Sequence, residues 1–140
     1  GALTPLGATP VGMLPVQSAL DPTGRFLYVC VSGEDVVRGF KIDEANGALI
    51  SLGADWGSGE QPVSLCIDPA GQFLYAGNND TDDLASFRID AGSGALTPLA
   101  RTRTRDLPLN LALAQADAPL ATSACNCAVD LSGACRVGCS

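Results

Sequence analysis

Asp21-Pro22-Thr23-Gly24-Arg25-Phe26-Leu27-Tyr28-Val29 returns forty-seven residues later as Asp68-Pro69-Ala70-Gly71-Gln72-Phe73-Leu74-Tyr75-Ala76. An Asp-Pro-x-Gly turn followed by an unbroken apolar run predicts a tight turn that feeds a buried strand. A phrase of this kind recurring at a fixed period signals a repeat architecture, and the rest of the chain falls into place around it. Gly1-Ala2-Leu3-Thr4-Pro5-Leu6 recurs in the same way, as Gly47-Ala48-Leu49-Ile50-Ser51-Leu52 and as Gly94-Ala95-Leu96-Thr97-Pro98-Leu99. The three copies set the period at 46 to 47 residues.

Within each period the pattern predicts four short strands, a to d, with no room for a helix of ordinary length. Strand a begins on a proline, Pro15–Leu20 and then Pro62–Ile67, a position where no ladder donor is lost. Strand b, at 26–31 and 73–76, is apolar on both faces and so central in its sheet. In strand c, Phe40-Lys41-Ile42-Asp43 and Phe87-Arg88-Ile89-Asp90, apolar and charged residues alternate with the period of two of a half-exposed strand. Gly/Asn turns, Glu44-Ala45-Asn46-Gly47 and Ala91-Gly92-Ser93-Gly94, lead into strand d, the Gly-Ala-Leu phrase. Its proline, where present, marks an edge strand.

Four antiparallel strands per repeat describe a β-propeller blade, so the fold class is all-β. The phrases Asp-Pro-x-Gly-x-Phe-Leu-Tyr, then Phe-x-Ile-Asp, then Gly-Ala-Leu-Thr-Pro-Leu resemble the lactonase-family seven-bladed propeller. That group includes 6-phosphogluconolactonase and YVTN-type repeat proteins, and the resemblance covers residues 1 to about 100. It implies a sugar-lactone hydrolase with histidine, arginine and carboxylate groups in a central funnel. The chain contains no histidine, so the resemblance brings no catalytic residue with it, and the sequence predicts a non-enzyme that needs no cofactor.

The third repeat is eroded. Pro108-Leu109-Asn110-Leu111-Ala112-Leu113 keeps strand a, whereas Gln115-Ala116-Asp117-Ala118-Pro119-Leu120 replaces the turn and its aromatics. Strand c returns as Cys135-Arg136-Val137. The expected organisation is one repeat domain over 1–140: a displaced outer strand at 1–7, blade 1 at 8–53, blade 2 at 54–100 and a degenerate cysteine-rich blade at 101–140. Three blades fall below the roughly four to eight that propellers use, so one chain does not close as a ring. An unpaired first strand and a last blade lacking its d strand predict exchange between identical chains, giving a ring or a filament. The leading expectation is therefore a secreted, self-assembling scaffold subunit. The alternatives are a fragment of a lactonase-like hydrolase and a ligand-binding propeller module.

Composition narrows the partners. With 8 basic and 15 acidic residues the net charge is −7, which opposes binding to a phosphate backbone. No stretch reaches the roughly 18 uncharged apolar residues that span a bilayer. Gly1 in place of an initiator methionine predicts a processed product. Six cysteines predict an oxidising compartment, extracellular or periplasmic.

Several groups are candidates for chemistry. Cys125, Cys127, Cys135 and Cys139 flank the turn Asp130-Leu131-Ser132-Gly133, and a hairpin there would let disulfides replace the packing lost with the aromatics. A thiolate metal site and cross-links between chains are the alternatives for these four. Cys30 and Cys66 lie in adjacent blades as a further disulfide candidate, or as two small buried hydrophobes. Asp80, Asp82 and Asp83 sit in an oxygen-rich turn that could hold calcium, which takes about six to eight oxygen ligands; an ordinary solvated loop is the simpler account. Arg101, Arg103 and Arg105 alternate with threonines and so share one side of an extended segment, available to an anion or to a carboxylate face of a second subunit, or simply solvated as a loop. Leu3 and Leu6 of the first strand complete the expected interface. Trp56 falls in the link between blades, as a ligand platform or packed over the blade edge.

Overall fold

The structure, a computed structural model, describes residues 1–104 and 111–113, together with the backbone of two short strands at 127–129 and 135–137. Eight strands form two four-stranded antiparallel sheets. Sheet A contains β1 (Pro15–Leu20), β2 (Phe26–Val31), β3 (Val36–Ile42) and β4 (Leu49–Gly57), in that order. Sheet B repeats it with β5 (Pro62–Ile67), β6 (Phe73–Asn78), β7 (Asp83–Ile89) and β8 (Leu96–Arg103). The remaining strands, β9 (Cys127–Val129) and β10 (Cys135–Val137), pair antiparallel with each other. Two all-β blades are thus present, and they do not close into a ring.

Each Asp-Pro-x-Gly phrase folds as its chemistry predicts. Asp21 Oδ1 accepts the amides of Arg25 and Phe26 at 2.7 Å each, and Asp68 Oδ1 accepts those of Gln72 and Phe73 at 2.6 and 2.7 Å. The glycines close the turns in the left-handed region, at φ 73° for Gly24 and 68° for Gly71, where a side chain would be strained. The aspartate thus caps the turn and fixes the register in which Phe26 or Phe73 enters its central strand.

Strand alternation gives each sheet a front face, toward the N-terminal side, and a rear face. The rear of sheet A presents Phe26, Tyr28, Cys30 and Val37, and the front of sheet B presents Leu65, Leu74, Ala76, Ala85, Phe87, Ile89 and Leu96. These residues form one core between the blades, each at most 7% exposed. Inter-blade bonds reinforce it. Tyr28 Oη donates to Gly94 O at 2.8 Å, Arg25 Nη2 donates to Ala91 O at 2.8 Å, and Leu65 N donates to Gln17 Oε1 at 3.1 Å. A second, smaller cluster on the front of sheet A holds Val29, Val31 and Phe40, with Val11, Leu27, Val36 and Leu49 packed against it.

Some boundaries differ from expectation. Strand c starts earlier, at Val36 and Asp83, because the b-to-c turns are tight: Asp35 and Asp82 adopt φ 59° and 48° and return the chain into the ladder within four residues. Strand d continues beyond its Gly-Ala-Leu phrase, so Trp56 lies in β4 opposite Val37 rather than in a loop. Gly39 makes this possible. A Cβ there would meet Leu52 Cδ1 at 2.8 Å and Trp56 Cζ3 at 3.0 Å, and both side chains pack against the shared core. Residues 1–14 form no strand; Leu3 and Leu6 are 98% and 75% exposed. Of the third repeat's expected strand a, residues 111–113 are described and lie outside any ladder.

Candidate functional site

The two sheets meet like a wedge, close at β1, β2 and β5 and splayed toward the outer strands β4 and β8. Near the splayed end lies a polar group that neither blade builds alone. β6 ends on Asn78 and β7 begins on Asp83, directly opposite each other in the ladder. Both side chains share the face of Ala76 and Ala85 and so turn toward blade 1. Asn78 is fully buried and satisfied: Ser58 Oγ donates to its Oδ1 at 2.5 Å, while its Nδ2 donates to Ser58 O at 3.2 Å and Asp83 Oδ1 at 2.7 Å. Arg101 Nη2 also donates to Ser58 O, and Arg101 Nη1 stands 3.8 Å from Asp83 Oδ2. Gly59 allows the close approach, since a Cβ would meet Asn78 Cγ at 2.5 Å.

Beside this group opens a cleft of about 340 Å³, floored by Phe87, Pro98 and Leu99 and edged by Ser58 and Arg101. Its outer part is the half-exposed guanidinium of Arg101. Such an edge can hold an anion or a polar oxygen, but it contains no nucleophile paired with a base. At the turns before β5 and after β6 the two blades are laced together. Gln61 N donates to Asp35 Oδ1 at 2.9 Å, and Asn79 Nδ2 donates to Gln61 Oε1 at 3.1 Å. Asn79 Oδ1, Thr81 Oγ1 and Thr104 Oγ1 are buried polar atoms with no partner among the described residues.

The predicted candidates fare differently. Asp80, Asp82 and Asp83 do not converge as a calcium site requires: Asp83 turns inward to Asn78 and Arg101, Asp80 accepts from Asn79 at the surface, and no three His, Cys, Asp or Glu gather among the described residues. Cys30 and Cys66 are both free thiols. The reason is alternation. Leu65 points forward into the shared core, so its neighbour Cys66 points rearward with its cross-strand partner Tyr75, and sheet B stands between the two sulfurs. Burial pushes the Cys30 thiol up to about 12 and that of Cys66 to about 11, which keeps both protonated and unsuited to nucleophilic or metal chemistry near neutrality. Arg101 and Arg103 share one side of β8 as predicted, with Arg101 engaged inside the chain at the blade seam. Arg105, Cys125 and Cys139 lie outside the described residues, as do the side chains of Cys127 and Cys135. The β9–β10 register sets Cys127 opposite Val137 and Cys135 opposite Val129.

Ser58 was not expected in any site, and Asn78 only as the first residue of the oxygen-rich turn weighed for calcium. Their signal lies in the difference between repeats: Val11, Val31 and Val36 occupy the positions of Ser58, Asn78 and Asp83 one period earlier, and there they form the apolar front cluster of sheet A.

Comparison with known proteins adds the broader context. The sequence profile of the family described as lactonase, 7-bladed beta-propeller matches residues 17–111. None of the curated protein sequences compared matches the chain. Among solved structures, a Bacteroides fragilis protein provisionally designated a 6-phosphogluconolactonase is similar with a TM-score of 0.64 at 28% identity, over 69% of this chain and 27% of that one. The periplasmic gluconolactonase of Pseudomonas aeruginosa gives 0.59 at 27% identity, over 69% and 28%. A Bacteroides uniformis protein, also provisionally designated a 6-phosphogluconolactonase, gives 0.66 at 23% identity, over 71% and 30%, a likeness of fold alone. The chain therefore spans under a third of the length of these relatives.

Two expectations are overturned by these findings. The scaffold that self-assembles by strand exchange with disulfide reinforcement gives way to the sequence's own alternative, a lactonase-like propeller segment, and the non-enzyme expectation falls with it. The strand count behind that expectation took the three repeats of this chain as a complete inventory, whereas the chain spans under a third of the length of these relatives. No disulfide is formed between the described cysteines.

Proposed function

The chain belongs to the lactonase family of seven-bladed β-propellers, and on that premise we propose that it supplies two adjacent blades of a hydrolase that opens a sugar lactone. The observation that carries this is the combined match: the family profile spans both blades, and two solved relatives at 27–28% identity bear gluconolactonase names. In such a reaction a water oxygen adds to the lactone carbonyl carbon, the ring C–O bond breaks, and the freed ring oxygen takes a proton to give a hydroxy acid. With no histidine in these blades, their share of the chemistry is restricted to carboxylate, guanidinium and amide groups. The polar turns at Asp35, Gln61 and Asn79 are the groups nearest the inner strands. An extracytoplasmic location is part of the same proposal, supported by the periplasmic relative. No helix among the described residues is long and apolar enough to cross a membrane.

The test is a pH-stat assay of glucono-δ-lactone and its 6-phosphate with the full-length polypeptide that carries this chain. Acid release above the spontaneous rate on either lactone is expected. Spontaneous rates on both would overturn the proposal.

A further inference from the structure

We propose that Gln61 is a substrate contact of the lactone site, its side-chain amide donating through Nε2 to a hydroxyl oxygen of a polyhydroxylated lactone. The proposal rests on the hydrolase reading above and names the residue and the substrate group that meet there.

The backbone marks the position. Gln61 adopts φ 54° directly before Pro62, and Leu14 adopts φ 56° directly before Pro15. A left-handed dihedral strains any residue with a Cβ, and a following proline biases the residue before it toward extended conformations. Glycine would relieve the strain. Both repeats nevertheless carry a longer side chain, and packing does not account for it: Leu14 is 67% exposed, and Gln61 is exposed as well. Hydrogen bonds hold the backbone in place. Leu14 O accepts Ser32 N at 3.0 Å and Met13 O accepts Gly33 N at 3.1 Å, while Gln61 O accepts Asn79 N at 2.9 Å and Glu60 O accepts Asp80 N at 3.2 Å. In each blade the chain entering β1 or β5 is thus tied to the turn that follows β2 or β6, with an exposed side chain at the tie. Strain that persists where no packing requires it points to function.

Gln61 differs from Leu14 in being fixed by both blades. Its backbone amide donates to Asp35 Oδ1 of blade 1 at 2.9 Å, and its Oε1 accepts Asn79 Nδ2 of blade 2 at 3.1 Å. The second bond uses the acceptor end of the side-chain amide. The donor end, Nε2, is left over, with no acceptor among the described residues. A donor whose backbone and carbonyl oxygen are already held loses little freedom on meeting a ligand. The surroundings select the ligand atom. Asp35, Glu60 and Asp80 are exposed carboxylates beside this residue, and none of them enters an ion pair among the described residues. Such neighbours repel an anion and accept hydroxyl protons. A hydroxyl oxygen can take the Nε2 proton and pass its own proton toward a carboxylate, which a phosphate or carboxylate oxygen cannot do. The substrate class is therefore an uncharged, polyhydroxylated lactone.

The test uses the full-length polypeptide that carries this chain, with Gln61→Leu and Gln61→Gly. The first installs the residue that blade 1 holds on the same backbone, and the second relieves the strain. Both should lower kcat/KM for glucono-δ-lactone about ten-fold, the worth of one hydrogen bond. The urea midpoint of Gln61→Gly should stay at or above that of the wild type, so activity falls without stability, which a merely structural role does not produce. If Gln61→Leu does not fold, the glycine variant carries the test alone. Binding is read separately, by saturation transfer from the polypeptide to glucitol, a polyol that cannot react. Transfer is expected with the wild type and is lost with Gln61→Gly. An unchanged kcat/KM in an active enzyme, or a midpoint that falls together with activity, overturns the inference and leaves the hydrolase reading standing. An inactive wild type that shows transfer, lost on Gln61→Gly, removes the hydrolase reading and keeps the contact; an inactive wild type without transfer removes both.

Discussion

Replacing Asn78 by valine puts into blade 2 the residue that blade 1 carries at the same position, and the seam chemistry fixes what that single change costs. Asn78 is fully buried and makes three hydrogen bonds, one with the Ser58 hydroxyl, one to the Ser58 carbonyl and one to the Asp83 carboxylate. Valine is close to asparagine in volume, so cavity formation is a minor part of the loss. A neutral bond contributes about 1 kcal/mol and one to a charged group about 1.5–3, and a buried group stripped of its partner costs about 1–3. The Ser58 carbonyl retains Arg101, and Asp83 retains the same guanidinium at 3.8 Å. The stranded groups are therefore the Ser58 hydroxyl and one carboxylate oxygen, and Asn78→Val should cost about 2–4 kcal/mol. With a urea m value of about 2 kcal/mol/M, the midpoint falls by roughly 1–2 M.

The triple variant Ser58→Val, Asn78→Val, Asp83→Val is the decisive comparison. It recreates the set Val11, Val31, Val36 that packs on the front of sheet A. Replacing a whole buried polar set by apolar residues of similar shape is close to neutral, whereas removing one member leaves the others unpaired. Arg101, half-exposed, can turn to solvent. The triple variant should thus return to within about 1 kcal/mol of the wild type, a strongly non-additive result. Urea unfolding followed through Trp56, the single tryptophan, which packs against the shared core, reports the seam directly. A neutral Asn78→Val, or a triple variant less stable than the single one, would refute the reasoning.

Two other expectations follow from the turns and the thiols. Burial alone would raise the Asp21 carboxyl, but the Thr23 hydroxyl and the amides of Phe26, Thr23 and Arg25 outweigh it and hold the group below its ordinary value of 3.8. Its stabilising contribution is therefore complete above that value and is lost as pH falls through the depressed one; Asp21→Asn should lower urea midpoints at pH 7 and flatten their decline between pH 4 and pH 2, and profiles parallel to the wild type would count against this capping role. Cys30, fully buried and pushed up to about 12, should escape iodoacetamide at pH 8 in the native chain and react once urea unfolds it, as read by peptide mapping; native alkylation at the rate of a free thiol would contradict its place in the shared core.

Much of the fold was legible because its signals are local. The Asp-Pro-x-Gly turns, the leading prolines and the alternation in Phe-x-Ile-Asp depend on neighbours a few residues away, and the strands stand where these put them. Strand ends were less legible: β4 extends to Gly57 because Gly39, across the ladder, leaves room for Leu52 and Trp56. The candidate site was harder still. Ser58 and Asn78 look ordinary alone and acquire meaning only from the blade facing them. Alternation counted from Leu65 already sets Cys66 on the face away from Cys30, whereas the engagement of Arg101 by a carbonyl 43 residues earlier has no local trace.

The phrase that organises the sequence proves to be a fastening between blades. Phe26 and Tyr28 act on the Gly94 turn, and the Gly47 turn repeats its φ of 74°, so the fastening by itself does not tell one seam from another. Identity must come from positions where the repeats diverge. At the front of sheet A those positions are Val31 and Val36, with Val11 of the preceding segment; at the front of sheet B they are Asn78 and Asp83, with Ser58 of the link between the blades. A blade seated one place out of order would set Asn78 against Val11 in place of Ser58; Asp83 would keep Asn78 Nδ2 and Arg101, but the buried Asn78 Oδ1 would lose its hydroxyl donor, and a stranded buried group costs more than a matched hydrogen bond contributes. Seam polarity therefore acts against misordered docking, the repulsive element that specificity among near-identical surfaces requires. The polar group at the wedge reads most directly as the address of blade 2, and the cleft beside it is the space left where the two outer strands diverge.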